Sequence, residues 1–322
     1  MKHALCFAFV CAVVVASGCR SRDPAQPTPA KSKGTIAVSL LTLDNPFFKV
    51  IGDNIAVEAK KHGYETIVLS ADTNVAKQSN QVKDFLVKKV SAIVLSPCDS
   101  KGIIPVIQEA NAAGVPVFTV DIPCNEAGVK IATQIATDNY GGGKEAGRAM
   151  IEALGEAGGK IAVLNFNQAE SCRLRVKGFR EVIDAHNAKA AGKILIVKDL
   201  EGGGAKDIGL KAAEDSLQAH PDLRGIFAIN DPSALGAVAA IEKAGRTRQV
   251  KVIGFDGQPE GKQAIKDGKI YADPIQFPEK MGVQIVEAIV RYSRGDELPP
   301  QTLIATALYR QADAAKDPAL KQ

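Results

Sequence analysis

The chain lacks the charge pattern of a nucleic-acid-binding protein and the long apolar runs of a multi-span membrane protein. Its 40 Lys and Arg nearly balance 36 Asp and Glu, giving a formal net charge of +4. A net charge so close to zero gives no reason to expect nucleic acid as a partner. After the first 18 residues, no segment approaches about 18 uninterrupted apolar residues, so no further span is expected.

Patterns typical of catalysis and metal binding are missing as well. After the N-terminal segment the only histidines are His62, His186 and His220, each at the polar end of a predicted helix, where the helix dipole favours an imidazole. There is no GxSxG elbow, no HExxH pair and no CxxC spacing. The glycines at 141–143 fit neither phosphate-binding motif, GxxxxGK[ST] or GxGxxG. We therefore expect no enzyme, no metal site and no cofactor.

The N-terminus has the pattern of an export signal. A short basic start is followed by an apolar stretch, Ala4 to Ala16, that is too short to span a bilayer, and small residues then precede Cys19. Residues 1–18 are predicted to be a signal peptide, and they resemble a bacterial lipoprotein signal, in which the cysteine becomes the lipid-bearing N-terminus. Cleavage without a lipid is the alternative. Residues 19–33, with three prolines, are interpreted as a flexible tether.

Three cysteines remain after the predicted signal and anchor, namely Cys98, Cys124 and Cys172. Because the number is odd, at least one is expected to be a free thiol. Cys98 and Cys124 each follow a predicted strand, and an exported protein permits a disulfide between them. Free, half-buried thiols are nevertheless the expected state, and the disulfide is the alternative.

From Gly34 onward, short apolar segments alternate with helical ones. Such strands between helices indicate parallel sheets covered on both faces. Two successive runs, the second beginning near Asn139, predict an α/β protein with two doubly wound lobes. The predicted strands are Thr35–Leu40, Glu65–Ser70, Ala92–Leu95, Val117–Val120 and Val129–Ile131, then Lys160–Leu164, Lys193–Val197, Gly225–Ile229, Val250–Gly254 and Ile270–Ile275.

Aromatic and polar planar side chains recur just past the predicted strand ends, where open α/β sheets bind ligands. A single such position is explained by helix capping, which favours Asn and Asp, whereas recurrence in both lobes favours a shared ligand cleft. Phe47 and Phe48 beside the Asn45 amide suit a ligand with apolar faces and hydroxylated edges, which describes a sugar. The positions are Asn45, Phe47, Phe48, Ser96, Asp99, Asp121, Arg173, Asn230, Asp231, Phe255, Asp256 and Gln276.

These segments together resemble one family. From about Thr35 onward the chain is similar to the ribose-binding proteins of bacterial sugar ABC transporters, which are type I periplasmic binding proteins and share a fold with the ligand domain of LacI repressors. The resemblance is carried by Leu43-Asp-Asn-Pro-Phe-Phe48, Thr137-Asp-Asn-Tyr-Gly-Gly142, Arg173 with Gly178-Phe179, Ala219-His-Pro-Asp222, Ala228-Ile-Asn-Asp231 with Ala234-Leu-Gly236, Val252-Ile-Gly-Phe-Asp-Gly257 and Gln276.

The resemblance implies a role for each of these side chains. Phe48 and Phe255 are expected to sandwich the sugar ring, and Phe47 to close one side. Charge-assisted hydrogen bonds are the stronger kind. The groups expected to bind hydroxyls are Asp121, Asp256 and Arg173 as charged side chains, and Asn45, Asn230 and Gln276 as amides.

Three positions depart from the ribose type. Ser96 stands in place of an asparagine, Ile122 in place of an arginine, and the region of Gly203 and Gly204 in place of a phenylalanine that helps to wall the pocket. A lost arginine hydrogen bond is worth roughly 1.5–3 kcal/mol. A related pentose, a hexose or a sugar alcohol therefore fits as well as ribose.

The resemblance also implies three chain crossings, near residues 137–138, 276–277 and 298–304, that form a hinge. The first lobe is expected to contain residues 34–137 and 277–301, and the second 138–276 and 302–322. A sugar that touches both lobes would favour the closed form.

The expected function is a monomeric solute receptor, anchored by Cys19 on the periplasmic side of a membrane, that delivers a monosaccharide to the membrane subunits of an ABC permease. One alternative is a sugar sensor that presents its closed state to a chemoreceptor or sensor kinase. An enzyme on the same scaffold is disfavoured, because the candidate positions include no nucleophile or base–orienter pair. A repressor is excluded, because an export signal occupies the place of a DNA-binding helix-turn-helix.

Overall fold

The structure, a computed structural model, describes residue 1 and residues 32–320. The predicted signal peptide from residue 2 onward, the predicted lipidation site at Cys19 and the predicted tether up to residue 31 lie outside the described residues. The chain separates into a unit of residues 1–31 and a unit of residues 32–322, and the helices and strands described here belong to the second. None of the helices in the described part is long and apolar enough to cross a membrane.

The first sheet is entirely parallel, and its short strands are buried on both faces in the centre. Its strands are β1 (Thr35–Leu40), β2 (Glu65–Ser70), β3 (Ala92–Leu95), β4 (Val117–Val120), β5 (Gln134–Thr137) and β11 (Gln301–Ile304), in the spatial order β11-β5-β4-β3-β1-β2. The helices packed on it are α1 (Pro46–Lys61), α2 (Val75–Val87), α3 (Ile104–Ala112) and α9 (Pro278–Ser293). Helix α1 packs on α9 and α2 on α3, so that one pair covers each face.

The second sheet repeats this arrangement with one antiparallel strand at its edge. Its strands are β6 (Gly159–Asn165), β7 (Ile194–Glu201), β8 (Leu223–Ala228), β9 (Lys251–Ile253), β10 (Ala272–Ile275) and β12 (Ala307–Arg310), in the order β12-β10-β9-β8-β6-β7, and β12 is antiparallel to β10. The helices are α4 (Asn139–Leu154), α5 (Glu170–Lys189), α6 (Lys206–Ala219), α7 (Asp231–Lys243), α8 (Pro259–Lys266) and α10 (Gln311–Ala314), with a 3₁₀ turn at Gly155–Ala157.

The prediction of two doubly wound α/β lobes is confirmed, with one strand misplaced. Val129–Ile131 is not a strand, and β5 lies at Gln134–Thr137 instead. The Asn111 side chain binds both backbone groups of Lys130, accepting from its N–H at 2.7 Å and donating to its carbonyl at 2.8 Å. These bonds tie the segment to helix α3, so its backbone is not available for sheet pairing.

The last crossing between the sheets is two residues long. Strand β11 belongs to the first sheet and β12 to the second, and only Ala305 and Thr306 separate them. The predicted lobe boundary between residues 301 and 302 therefore cuts β11, and residues 302–304 stay with the first sheet. A hydrogen bond of 2.5 Å from Thr137 Oγ1 to Gln276 Oε1 joins the other two crossings.

Helices α4 and α5 pack with their backbones in contact. A Cβ atom at Gly143 would lie 2.1 Å from the carbonyl oxygen of Arg175, and one at Gly178 would lie 2.1 Å from that of Tyr140. Any larger side chain at these positions would push the helices apart. Gly143 therefore permits the close approach of α4 and α5 that positions Arg175.

The three cysteines in the described residues are free and buried. The Sγ of Cys98 lies 3.8 Å from the Leu41 carbonyl oxygen, and that of Cys124 lies 3.2 Å from the Ser100 carbonyl oxygen. The alternative of a Cys98–Cys124 disulfide is therefore not realised in this structure.

Candidate functional site

A cavity of about 640 Å³ lies between the lobes at the carboxyl ends of their strands. Its volume falls in the range of small-molecule sites. Nine of the predicted residues line it, namely Asn45, Phe47, Phe48, Asp121, Ile122, Asn230, Asp231, Asp256 and Gln276. The lining does not include Ser96, Asp99, Arg173 or Phe255.

The structure does not place Arg173 in the cavity lining, where the sequence predicted it. Its guanidinium binds Glu170, with Nε 2.9 Å from Oε2, and donates to the Asn167 carbonyl oxygen. Arg175 lines the cavity instead. Because one turn of an α-helix takes 3.6 residues, side chains two positions apart point in directions that differ by about 200°. Only one of the two arginines can therefore face the cleft.

Arg175 is buried and makes hydrogen bonds through Nε and Nη1. Its Nη1 donates to Asp256 Oδ1 at 2.9 Å and to the Ile229 carbonyl oxygen at 2.6 Å, and its Nε donates to Asn139 Oδ1 at 2.8 Å. The Phe255 ring lies under the guanidinium, 3.9 Å from its central carbon. Arg175 thus joins α4, α5 and the ends of β8 and β9.

The expected sandwich of Phe48 and Phe255 is not formed, because Phe255 is fully buried behind Arg175. A third aromatic ring in the lining comes from Phe166, which directly follows β6. A Cβ atom at Gly204 would lie 3.6 Å from Cδ1 of Phe166, so this ring stands beside the glycines. The position directly after a strand, which identified Asn45 and Asp121, also applies to Phe166, although Phe166 was not among the predicted residues.

Capping and cleft lining occur together at two of the predicted amides. The Oδ1 of Asn45 accepts a hydrogen bond from Phe47 N at 3.0 Å at the start of α1, and Asn230 Oδ1 accepts one from Ser233 N at 3.0 Å. Asn230 Nδ2 also donates to the Gly204 carbonyl oxygen at 3.0 Å. The interpretation of these residues as helix caps and their interpretation as part of a ligand cleft therefore do not exclude each other.

Ser96 contributes to the first lobe and not to the cavity lining. It is fully buried, and its carbonyl oxygen accepts a hydrogen bond from Gln78 Nε2 at 3.0 Å. Its Oγ has no hydrogen-bond partner among the described residues. Because Ser96 does not line the cavity, its location does not support the expected contact with the ligand.

Two carboxylates of the lining face a single buried guanidinium. Burial raises the pKa of Asp121 to about 7, against the lowering effect of Arg175 and with a further increase from the Asp256 charge. Burial also raises the pKa of Asp256, although Arg175, Gln276 and Gln258 counteract the effect. Asp121 and Asp256 adopt positive φ angles of 65° and 109°, a strained backbone typical of functional sites.

Asp121 keeps an acceptor free. Its Oδ1 is buried and has no hydrogen-bond partner within residues 32–320. Buried polar atoms are nearly always paired, so an exception of this kind calls for a partner. A ligand hydroxyl in the cavity would supply it.

The lobes also bind each other directly through Ser100, which is fully buried in the loop before α3. Its N–H donates to the Gln168 carbonyl oxygen at 3.2 Å, and its Oγ accepts from the Glu170 N–H at 3.2 Å. The same Oγ donates to the Pro123 carbonyl oxygen at 3.0 Å. These bonds between loops of the two lobes describe a closed arrangement.

We expect Ser100→Ala to shift the ligand-free chain toward an open form. Without the hydroxyl, the Glu170 N–H is left unpaired in the closed form, which costs about 1–3 kcal/mol. That cost disappears on opening, so the population shifts, and small-angle X-ray scattering should show a larger radius of gyration. The matched control is Ser79→Ala, whose Oγ bonds only to the Val75 carbonyl oxygen within α2. Equal radii for the two variants would contradict the prediction.

The family described as periplasmic binding protein domain matches residues 36–297. The ribose import binding protein RbsB of Salmonella typhimurium is 35% identical over 269 residues, covering 84% of this chain and 88% of that protein. The D-apiose import binding protein of Paraburkholderia graminis is 34% identical over 289 residues, covering 89% and 90%.

Solved structures show the same architecture. An ABC transporter periplasmic solute binding protein from Actinobacillus succinogenes with bound D-allose superposes with a TM-score of 0.80 at 28% identity, covering 88% of this chain and 100% of that one. An ABC transporter solute binding protein from Mycobacterium smegmatis with bound glycerol gives 0.81 at 31% identity, covering 88% and 96%.

Proposed function

This chain belongs to the family of periplasmic binding protein domains, and we propose that it is the receptor of an ABC importer that binds a monosaccharide between its two lobes. Membership confirms the resemblance seen in the sequence and the expectation of a binding protein rather than an enzyme, since the similar proteins are import binding proteins. The observation that carries the proposal is the cavity lining, in which Phe47, Phe48 and Phe166 accompany Asp121 and Arg175.

The chemistry of this lining suits a sugar. Aromatic rings pack against the apolar C–H faces of a pyranose or furanose ring, while carboxylates and amides bind its hydroxyl groups. Phe47 and Phe48 meet edge to face, with ring centroids 5.4 Å apart, so they present two differently oriented surfaces. Charged hydrogen-bond partners strengthen the hydroxyl contacts.

The electrostatics favour an uncharged ligand. Among the buried lining residues that the structure describes, Arg175 is the one cation, and Asp256 already binds it. A ligand carboxylate or phosphate at the buried end of the cavity would therefore meet Asp121 and Asp256 without a free buried cation to balance it, because the other cation of the lining, Lys206, is exposed. Sugar acids and sugar phosphates are disfavoured.

The remaining features of the proposal concern the cell envelope. The receptor is exported, monomeric and anchored through a lipid on Cys19, and residues 20–33 act as its tether. Its two lobes close around the sugar about a hinge near residues 137–138, 276–277 and 305–306, and the closed surface docks on the membrane subunits of the permease. The export pattern of residues 1–19 and the family membership support this assignment.

A thermal-shift screen of the full-length chain tests the proposal. Ribose, apiose, allose, arabinose, rhamnose, myo-inositol and glycerol are each tested at 1 mM, with glucuronate and ribose 5-phosphate as matched charged controls. A ligand at 100 times its Kd adds about 2.7 kcal/mol to the free energy of unfolding, so at least one neutral compound should raise Tm clearly. A screen in which no carbohydrate raises Tm, or in which only the charged controls do, would refute the proposal.

A further inference from the structure

We propose that four residues of the cavity select a monosaccharide that carries a methyl group in place of a hydroxymethyl group, that is, a 6-deoxyhexose or its pentose counterpart. This inference rests on the proposed function and specifies the ligand of the same site. The four residues are Ile122, Phe166, Ala169 and Cys172, called here the apolar wall.

The apolar wall is contributed by both lobes. Ile122 follows β4 in the first lobe, whereas Phe166, Ala169 and Cys172 lie between β6 and the first turn of α5 in the second. Their exposed fractions are 2%, 8%, 1% and 6%, and all four belong to one hydrophobic cluster. The wall is therefore assembled only when the lobes are closed.

The apolar wall has no backbone hydrogen left to donate to a hydroxyl. The Ile122 N–H donates to the Val120 carbonyl oxygen at 2.8 Å, and the Phe166 N–H to Asn165 Oδ1 at 2.8 Å. The other two N–H groups close the turn that leads into α5. They are the N–H of Ala169, bound to the Phe166 carbonyl oxygen at 3.3 Å, and that of Cys172, bound to the Ala169 carbonyl oxygen at 3.1 Å.

The one polar side chain among the four is a neutral thiol, and the hydroxyl of the adjacent Ser171, which also lines the cavity, lies 3.9 Å from that thiol. Burial raises the pKa of Cys172 to about 11, with the carboxylates of Asp256 and Asp121 adding to the increase and Arg175 opposing it. A buried neutral thiol behaves as a small hydrophobe with a weak donor. Cys172 is therefore a poor partner for a sugar hydroxyl.

The rest of the lining contrasts with this wall. Asp121 has a free acceptor, and Gln276 and Asp256 are bonded to each other at 2.5 Å within reach of the cavity. A ligand that satisfies both regions needs several hydroxyl groups and one apolar end. A methyl group buries favourably against the wall, whereas a hydroxymethyl group there would lose its hydrogen bonds to water.

Matched sugar pairs that differ by one oxygen atom measure this selectivity. Isothermal titration calorimetry on the full-length chain compares L-rhamnose with L-mannose, L-fucose with L-galactose, and 5-deoxy-D-ribose with D-ribose. An apolar pocket rejects an added hydroxyl by about 100-fold at most, and we expect the deoxy member of the tightest-binding pair to bind about 10–100-fold more tightly. Equal or tighter binding of the hydroxylated member in that pair would overturn the inference.

A substitution in the apolar wall tests whether the wall causes the preference for the deoxy sugar. Ile122→Thr places a hydroxyl in the wall and should reduce the deoxy preference at least threefold. The control is Ile107→Thr, a fully buried residue of α3 in the separate core cluster of the first lobe, which should lose stability but keep the preference. An unchanged preference in Ile122→Thr would overturn the role of the wall.

The outcomes also separate the inference from the proposed function. Binding of neutral sugars without a deoxy preference removes the inference and leaves the sugar receptor in place. Absence of binding by every carbohydrate removes both.

Discussion

Arg175→Met is expected to abolish measurable sugar binding and to lower the free energy of unfolding by roughly 3–5 kcal/mol, the cost of leaving a buried charge without its partner. Arg175 is 3% exposed and binds Asp256, Asn139 and the Ile229 carbonyl oxygen. Its loss leaves the Asp256 and Asp121 carboxylates facing each other without a buried cation. Urea unfolding and calorimetry with the sugar found in the screen measure the two effects.

The sequence supplies a matched control two residues away. Arg173→Met removes the same charge from the same helix, but its side chain is 29% exposed and pairs with the neighbouring Glu170. Surface ion pairs contribute about 0–1 kcal/mol, so binding should be retained and stability should change little. Similar losses in the two variants would show that position 175 has no special role.

Acid should partly rescue the Arg175→Met variant. Burial raises the pKa values of Asp121 and Asp256, and Arg175 lowers both. Without the arginine these carboxyls protonate at higher pH, which removes the unpaired charges. The destabilisation should therefore be smaller at pH 5 than at pH 8, and a pH-independent loss would contradict the electrostatic explanation.

Asp121→Asn is expected to gain stability relative to the parent as pH rises and to bind the sugar more weakly. Because the folded-state pKa of Asp121 is raised from 3.8 to about 7, its stabilising contribution is complete below pH 4 and is lost as pH rises to 7. Each pKa unit corresponds to about 1.36 kcal/mol, so the loss reaches about 4 kcal/mol, of which about 2–3 kcal/mol falls between pH 5 and pH 8. The variant, which does not ionise, should gain that amount relative to the parent over this interval.

Binding changes in the opposite direction. The amide introduced by Asp121→Asn retains one carbonyl acceptor but loses the charge that strengthens the hydroxyl contact, which is worth roughly 1.5–3 kcal/mol, so affinity at pH 8 should fall about 10–100-fold. Asp231 and Asp273, whose pKa values burial also raises, titrate in both proteins and cancel in the comparison. Asp53→Asn on the exposed surface of α1 is the control, and a parent–variant stability gap that is the same at pH 5 and pH 8 would contradict the prediction.

The fold was predictable because its strands are short, apolar and regularly spaced. The segments predicted for β1 to β4 coincide with the observed strands. Strands β11 and β12 could not be inferred in this way, since both are half-exposed, with Leu303 at 51%. Val129–Ile131 was misassigned because its apolar residues pack on a core cluster without joining a sheet.

The candidate site was predictable in its location and less so in its details. Strand ends indicated the cleft, and nine of the predicted side chains line it. The choice between Arg173 and Arg175 depends on helical phase, which two nearby arginines do not reveal. Phe255 illustrates a different limit, since its position after β9 does not show whether the ring faces the cavity or supports Arg175 from behind.

The placement of β11 and β12 bears on how the polypeptide acquires its native form. Each is the outer strand of its sheet, and both come from one stretch of ten residues near the C-terminus. A nascent chain that has not yet reached residue 310 has two unfinished sheets, with β5 and β10 open for pairing. Completion of either sheet therefore depends on this single stretch, so the two halves of the molecule are finished together.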